Sequence, residues 1–177
     1  MGTIQIPPKA ILFTGLIYNP VEPREHIHGI LEKEYGKIRL TSPTVPFDET
    51  HYYHKEMGDC LQREFVAFDV LIEMQDIVHV KLRTNSIEDH YFSIGNKRCV
   101  NIDPGYLTSA KVVLATTKNF QHRVYLGMGI YAEVTLRYRK NSFMPWEWTY
   151  PDYRSDVAIA FFNRLRELYR CKIKGIA

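Results

Sequence analysis

Three residues, Gly127-Met128-Gly129, separate two stretches of the sequence in which apolar and polar side chains alternate. Alternation of this kind is typical of β-strands, and glycine readily adopts the positive φ angles that tight hairpin connections need. We therefore predict a β-hairpin with strands at residues 122–126 and 130–139. Counting outward from the three-residue connection places Tyr125 opposite Tyr131.

The two faces of this predicted hairpin differ in chemistry. We expect the apolar face to pack on the core, and its members are Val124, Leu126, Ile130, Ala132, Val134 and Leu136. The opposite face is polar and holds Arg123, Tyr125, Tyr131, Glu133, Thr135, Arg137 and Arg139. Arg123 is predicted to lie opposite Glu133, and such a cross-strand ion pair contributes about 0.2–1 kcal/mol on a solvated surface. The polar face is either a solvated sheet surface or the wall of a ligand cleft, and the sequence leaves this choice open.

Upstream of the hairpin, hydrophobic periodicity predicts the order strand, helix, strand, strand, helix, strand. This is the order of a ferredoxin-like split βαβ sheet (βαββαβ), in which both helices cover one face of an antiparallel sheet. We therefore expect an α+β fold of this type, extended by the C-terminal β-hairpin and by a terminal helix that begins at Ser155. Residues 1–177 are expected to form a single globular domain. The predicted strands span residues 10–18, 37–44, 65–72 and 98–103, with helices around residues 23–35 and at 75–91.

Three local features refine this outline. Pro104-Gly105 has the chemistry of a type II turn, so we predict that the strand at 98–103 ends there. Residues 110–117 fit a strand or a helix, and their β-branched residues favour the strand. On the predicted helix at 75–91, a polar stripe is interpreted as a solvated flank; it consists of Lys81, Asn85 and Glu88.

Composition and motifs exclude several classes of protein. With 45% hydrophobic and 24% charged residues the chain has a globular composition, and a formal net charge of +3 is too small to indicate nucleic-acid binding. The sequence contains no P-loop, no dinucleotide-binding glycine motif and no recognisable serine or cysteine nucleophile motif. Its three cysteines match neither a disulfide framework nor zinc spacing. Since there is no signal peptide and no apolar run of bilayer length, the expected location is the cytoplasm, and no membrane partner is expected.

Residues in and beside the hairpin supply the candidate site. Arginine matches the geometry of phosphate, so Arg123 and Arg137 are predicted to clamp an anion. Asp103, His122 and Glu133 can transfer protons and are the candidate catalytic residues. The hypothesis is a site for a phosphorylated or otherwise anionic small molecule, with hydrolase or phosphoesterase-type activity left open and no cofactor predicted. The other predicted ligand-binding residues are Asn101, Lys118 and Tyr131.

Two alternatives accompany this hypothesis. The spacing His51-x-x-His54, with Glu56 nearby, resembles part of a metal site, but the sequence compels no third ligand and no metal is predicted. The tyrosine-rich hairpin face and the aromatic segment at 146–153 would also suit a protein- or RNA-interaction module without catalysis. The low net charge and the absence of an RNA-recognition motif count against RNA. The oligomeric state stays open.

Seven stretches of the sequence carry a resemblance to a known family. They are N-I-D-P-G-Y-L at 101–107, L-A-T-T-K at 114–118, H-R-V-Y-L-G at 122–127, G-I-Y-A-E-V-T-L at 129–136, W-T-Y-P-D-Y at 148–153, Y-Y-H-K-E-M-G at 52–58 and K-L-R-T-N-S-I-E at 81–88. Together they resemble the bacterial and archaeal family of domains of unknown function, DUF4416, over nearly the whole chain. The resemblance implies a stand-alone domain of this length. It implies no activity, substrate or catalytic residue.

Overall fold

The computed structural model describes residues 2–95 and 97–175, apart from the side chains of His51 and Ile94. Within these residues the chain is a mixed α/β structure with a nine-stranded antiparallel sheet, a two-stranded ribbon (β5 and β6) and five α-helices. None of the described helices is both long and apolar enough to cross a membrane. The strands are β1 (Ala10–Tyr18), β2 (Ile38–Thr41), β3 (Val45–Pro46), β4 (Gln62–Ile72), β5 (Ser93–Ile94), β6 (Lys97–Arg98), β7 (Val100–Leu107), β8 (Lys111–Thr116), β9 (Val124–Gly127), β10 (Ile130–Arg139) and β11 (Ser142–Pro145). The helices are α1 (Arg24–Tyr35), α2 (His54–Met57), α3 (Ile77–Tyr91), α4 (Pro151–Arg154) and α5 (Asp156–Lys174), and short 3-10 turns at His51–Tyr53 and Met74–Asp76 precede α2 and α3.

Strand β1 lies inside the sheet, as its apolar character on both faces predicts. The main strand order is β11-β10-β8-β7-β1-β4-β2, with β3 paired to β4 and β9 paired to β10. β1 is antiparallel to both neighbours, β4 and β7, and all nine of its residues are buried. The predicted order of strands and helices up to residue 103 is present, with β3, α2 and the β5–β6 ribbon as additions. The strand favoured at 110–117 is confirmed as β8.

Alternation along β1 divides the core into two layers. Leu12 and Leu16 pack with α1 and α3 on one face of the sheet, whereas Ile11 and Phe13 pack with α5 on the other. Full burial of side chains of this size contributes about 1.5–3 kcal/mol each. The predicted start of the last helix is confirmed, because the Ser155 hydroxyl accepts a hydrogen bond from a backbone N–H in the first turn of α5.

The predicted type II turn at Pro104-Gly105 is wrong, because both residues lie inside β7. Pro104 pairs with Thr14, and Gly105 pairs with Phe13 of β1. A Cβ atom on Gly105 would lie 2.5 Å from Phe13 Cζ and 2.5 Å from the carbonyl oxygen of Val113. Glycine is therefore required here for the close approach of neighbouring groups, and not for a turn conformation.

The hairpin has a tighter turn than predicted. Tyr125 pairs with Tyr131 as expected, but Gly127 lies opposite Ile130. The connection is therefore the dipeptide Met128-Gly129, whose φ angles of 52° and 78° are both positive, as a type I′ turn requires.

The expectation that the apolar face of the hairpin packs on the core holds in part. Ile130 and Leu136 are buried, whereas Val124 and Leu126 are 68% and 42% exposed because β9 lies at the edge of the sheet. The pairing of β10 with β8 also shifts between Val134 and Leu136. This irregularity interrupts the alternation, so Leu136 packs on the α5 side while Ile130 packs on the other side.

Candidate functional site

The sheet opens between β7 and β8. These strands pair over three residues, Gly105 to Leu107 opposite Val112 to Leu114, while their other edges stay paired with β1 and β10. Pro104 is the first residue of β7 beyond the shared ladder, and proline has no N–H to donate to a neighbouring strand. The two diverging strands bound a cleft of about 670 Å³.

Side chains of α3 satisfy the open edge of β7. Lys81 Nζ donates to the Ile102 carbonyl at 3.1 Å, and Glu88 Oε1 accepts from the Ile102 N–H at 2.6 Å. Buried backbone groups require such partners, and the spacing of Lys81 and Glu88, about two helical turns, places both on one face of α3. Their exposed fractions are 6% and 3%. The stripe that also contains Asn85 therefore lines the cleft, and its interpretation as a solvated helix flank is wrong.

Arg98 connects this helix face to the segment on the other side of the cleft. Its Nη1 donates to Glu88 Oε2, and its Nε lies 2.9 Å from Glu56 Oε1 on α2. Burial raises the pKa of Glu88, while Lys81 and Arg98 act in the opposite direction. Glu88 is thus a buried carboxyl group surrounded by donors, positioned to organise the wall of the cleft.

Another part of the cleft wall is a fully buried arginine. Arg63 on β4 is 2% exposed, and its Nη2 lies 2.6 Å from Asp152 Oδ2. The guanidinium lies over two rings, 4.5 Å from the centroid of Phe65 and 4.9 Å from that of Tyr153. Its Nε and Nη1 make no hydrogen bond within the described part of the chain. An unpaired buried donor costs about 1–3 kcal/mol, and more when it is charged, so an acceptor supplied by a ligand would be stabilised here.

A glycine on β1 makes room for this arginine. A Cβ atom at Gly15 would lie 2.7 Å from the Tyr153 hydroxyl oxygen and 2.9 Å from Arg63 Nη2. Burial raises the pKa of Tyr153 well above its ordinary value of 10.0, so its hydroxyl is neutral at physiological pH and can donate a hydrogen bond. Arg63 and Tyr153 together offer donors on one wall of the cleft.

Three of the predicted residues line the cleft, and two of them, Asp103 and Lys118, keep polar groups accessible. Asn101 Nδ2 donates to Asp103 Oδ2 at 2.7 Å, and Asp103 Oδ1 lies 3.5 Å from Lys81 Nζ. The side chain of Asp103 is 31% exposed. Lys118 is exposed, and its Nζ lies 4.1 Å from the centroid of the Tyr52 ring. These three residues, Asn101, Asp103 and Lys118, therefore combine a carboxylate, an amide and a cation around the same space.

Glu133 and Arg123 also line the cleft, within a cluster of ion pairs and hydrogen bonds. Glu133 Oε2 lies 2.9 Å from Arg123 Nε and 3.2 Å from His122 Nε2, so the predicted contact between Arg123 and Glu133 is confirmed. Arg123 further donates to the Lys118 carbonyl at 2.9 Å and to the Tyr150 hydroxyl at 2.7 Å. Three of the five N–H donors of Arg123 therefore already have acceptors within the protein, one on each guanidinium nitrogen.

The other three predicted residues lie outside the lining of the cleft. His122 stacks on Trp148 with a centroid distance of 5.4 Å, and Arg137 lies 3.9 Å from the centroid of the Trp146 ring. Tyr131 packs against its partner tyrosine in the hairpin. Of the two arginines predicted to clamp an anion, Arg123 lines the cleft and Arg137 does not, and His122 reaches the cleft through its contact with Glu133.

The residues that sequence reasoning missed are those whose partners lie far away in the chain. Arg63 is the main example, and the available signal was the adjacent pair Arg63-Glu64 directly before an apolar strand sequence. Charged side chains are seldom buried without a partner, so two charged residues beside a predicted buried strand indicate that each binds a partner elsewhere in the chain. The other missed residues are Lys81, Glu88, Asp152 and Tyr153.

Within the described residues, no group of three or more histidine, cysteine, aspartate or glutamate side chains is arranged to hold a metal ion. The side chain of His51, on which the metal alternative at His51-x-x-His54 depends, lies outside the described residues.

Comparison with known proteins identifies a family without a known function. A family described as a domain of unknown function (DUF4416) matches residues 8–169. No curated protein and no solved structure matches the chain. A functional conclusion must therefore come from the geometry of the cleft.

Proposed function

This chain belongs to the DUF4416 family of domains of unknown function, and from its cleft we propose that it binds a small molecule that carries an anionic group. The observation that carries the proposal is Arg63, a buried cation with two unpaired nitrogens at a cleft of about 670 Å³. A cleft of this volume suits a small organic ligand. Both nitrogens lie beneath the accessible surface, so a phosphate or carboxylate would reach them, and satisfy them with charge-assisted hydrogen bonds, only when Arg63 or Tyr153 shifts. Tyr153 and Lys118 would supply further donors.

Proton transfer at Asp103 is the catalytic part of this proposal. Asp103 is a partly exposed carboxylate beside Lys81, and it shares the cleft with Arg63. A carboxylate in this position can accept a proton from an attacking water molecule while Arg63 holds the anionic group, which is the arrangement that hydrolase or phosphoesterase-type activity needs. Asp103→Asn separates an enzyme from a binding protein, because it should abolish turnover of a phosphoester and retain most of the ligand affinity.

The test of binding is an NMR titration with inorganic phosphate that follows the backbone amide signals. The proposal expects the largest shifts at residues 15, 63, 103 and 153. Lys118→Met should weaken binding without unfolding the protein, because this lysine is exposed. Lys33→Met, an exposed lysine on α1 away from the cleft, is the matched control. Shifts that scatter over surface lysines, or equal effects of the two substitutions, would overturn the proposal.

A second candidate function is an interaction module at the hairpin. The observation that favours it is the exposed tip of β9 and the following turn, where Val124, Tyr125 and Met128 are 68%, 58% and 63% exposed. Aromatic and methionine side chains are enriched at protein interfaces. Retention on heparin that is lost with salt would favour RNA, whereas a protein partner would be released by Tyr125→Ser with Met128→Ser.

We also propose a finer description of the fold and a location. The order β7-β1-β4-β2, with α1 and α3 on one face, supports a ferredoxin-like split βαβ unit that β8 to β11 and α5 extend. Cys60, Cys99 and Cys171 are free thiols, and two of them are exposed. Exposed free thiols are typical of reducing compartments, which supports a cytoplasmic location.

A further inference from the structure

We infer that the ligand of this cleft carries a single anionic group on a scaffold rich in hydroxyl groups, as a sugar monophosphate does, and that polyphosphates are selected against. The inference rests on the proposed function and adds the class of ligand. Its basis is the balance of charges: lysine and arginine contribute five side chains to the lining of the cleft, and aspartate and glutamate contribute seven. The lining therefore has an excess of two carboxylates, which is unusual for a site that binds several phosphates.

Most of these charges already have partners within the protein. Five of the seven acids lie beside a lysine or arginine of the cleft, as Asp152 does beside Arg63 and Glu133 beside Arg123. The cationic groups left for a ligand are the two unpaired nitrogens of Arg63 and the exposed Lys118. One phosphate or carboxylate at Arg63 would use the buried donors, and no other described lysine or arginine in the lining of the cleft has two unpaired buried nitrogens.

The remaining two acids determine which chemical groups the ligand can carry besides its anionic group. Glu49 and Asp89 line the cleft, are exposed, and form no ion pair within the part of the chain that the structure describes. A second anionic group would lie near these carboxylates and be repelled. Hydroxyl groups would instead donate to them and to the oxygens of Asn101 and Asp103. The cleft thus offers donors to one anionic group and acceptors to the remainder of the scaffold.

The experiment compares matched ligands by isothermal titration calorimetry: fructose, fructose 6-phosphate and fructose 1,6-bisphosphate, with AMP and ATP as a second series. We expect fructose 6-phosphate to bind more tightly than fructose. We expect the bisphosphate to bind roughly tenfold more weakly than the monophosphate, the size of a repulsion between charges about 10 Å apart in a partly solvated site. ATP should likewise bind more weakly than AMP.

Variants test whether Glu49 and Asp89 cause the weaker binding of the bisphosphate. Glu49→Gln with Asp89→Asn should reduce the difference between monophosphate and bisphosphate, because both carboxylates become neutral. Glu25→Gln with Glu147→Gln, two exposed acids outside the cleft, should leave the difference unchanged. Tighter binding of the bisphosphate or of ATP would overturn the inference and leave the proposed function intact. If no phosphorylated compound binds, the proposed function falls and the inference falls with it.

Discussion

Arg63 and Glu64 are neighbours on β4, and both are buried, but their charged groups differ in how many hydrogen-bond partners they have. Alternation places them on opposite faces of the sheet. Glu64 is 0% exposed and receives hydrogen bonds from Arg24 at 3.0 and 3.1 Å and from His28 at 3.0 Å, both residues of α1. Arg63 has one ion pair, with Asp152, and two nitrogens without a partner in the described residues.

The difference distinguishes a structural charge from one held for a ligand. A buried carboxylate with all its hydrogen bonds stabilises the packing of α1 on the sheet, and removing one partner of such a group is costly. A buried guanidinium with unpaired nitrogens reduces the free energy of unfolding unless a ligand supplies acceptors. Without a ligand, Arg63 therefore lowers the free energy of unfolding in a way that Glu64 does not.

The largest expected effect on stability is at Glu64. Glu64→Gln removes the buried negative charge and one of the two acceptor oxygens, so the ion pairs with Arg24 and His28 are lost and the free energy of unfolding should fall by about 3–5 kcal/mol. Urea unfolding followed by circular dichroism measures this. Phosphate affinity of the folded fraction should be unchanged, because Glu64 is not among the residues that line the cleft. A loss of affinity at constant stability would contradict the comparison.

A smaller effect is expected at the glycine beside Arg63. Gly15→Ala adds a Cβ atom that would lie 2.7 Å from the Tyr153 hydroxyl, so Tyr153 and Arg63 must shift. Overpacking of this kind costs about 1–3 kcal/mol, and we expect phosphate affinity to fall with it. Gly29→Ala in α1 is the control, since nothing lies within 4 Å of its added Cβ, and alanine should stabilise the helix. Equal melting temperatures for the two variants would contradict the close approach at Gly15.

The smallest expected effect is a pH dependence that belongs to Glu64. Burial by itself raises the pKa of Glu64, but hydrogen bonds from His28 and Arg24 outweigh burial and lower it below its ordinary value of 4.5. A lowered pKa in the folded state gives stability that is present above pH 4.5 and is lost as the pH falls through the folded value. The difference in unfolding free energy between the wild type and Glu64→Gln should therefore shrink below pH 4.5. A constant difference down to pH 3 would contradict this assignment.

Local patterns account for the parts of the fold that the sequence predicts. The helical stripe of α1, the apolar run of β1 and the pairing of Tyr125 with Tyr131 depend on neighbours in sequence. Pro104-Gly105 was misassigned because its turn chemistry is local, while its actual role depends on packing against Phe13 of β1. Such packing has no local signature.

The contrast between features set by neighbours in sequence and features set by distant partners also explains which parts of the candidate site were predicted. Asn101 and Asp103 lie on β7, and Glu133 lies on β10. Apolar and polar side chains alternate along each of these strands, so the sequence predicts which side chains share the polar face of a strand. Lys81 and Glu88 were assigned to solvent because their shared partner, the backbone of Ile102, becomes available through the divergence of β7 from β8. The partners of Arg63 come from a helix at the other end of the chain, which periodicity cannot indicate.

The most direct test of the difference between the two buried charges is Arg63→Met, measured in parallel for unfolding free energy and for phosphate binding. Methionine fills a similar space without unpaired donors. We predict that the unfolding free energy falls by less than half as much as in Glu64→Gln, and that phosphate binding is lost. If Arg63→Met instead unfolds the protein as severely as Glu64→Gln, or binds phosphate as the wild type does, then Arg63 is a structural charge and the cleft is not an anion site.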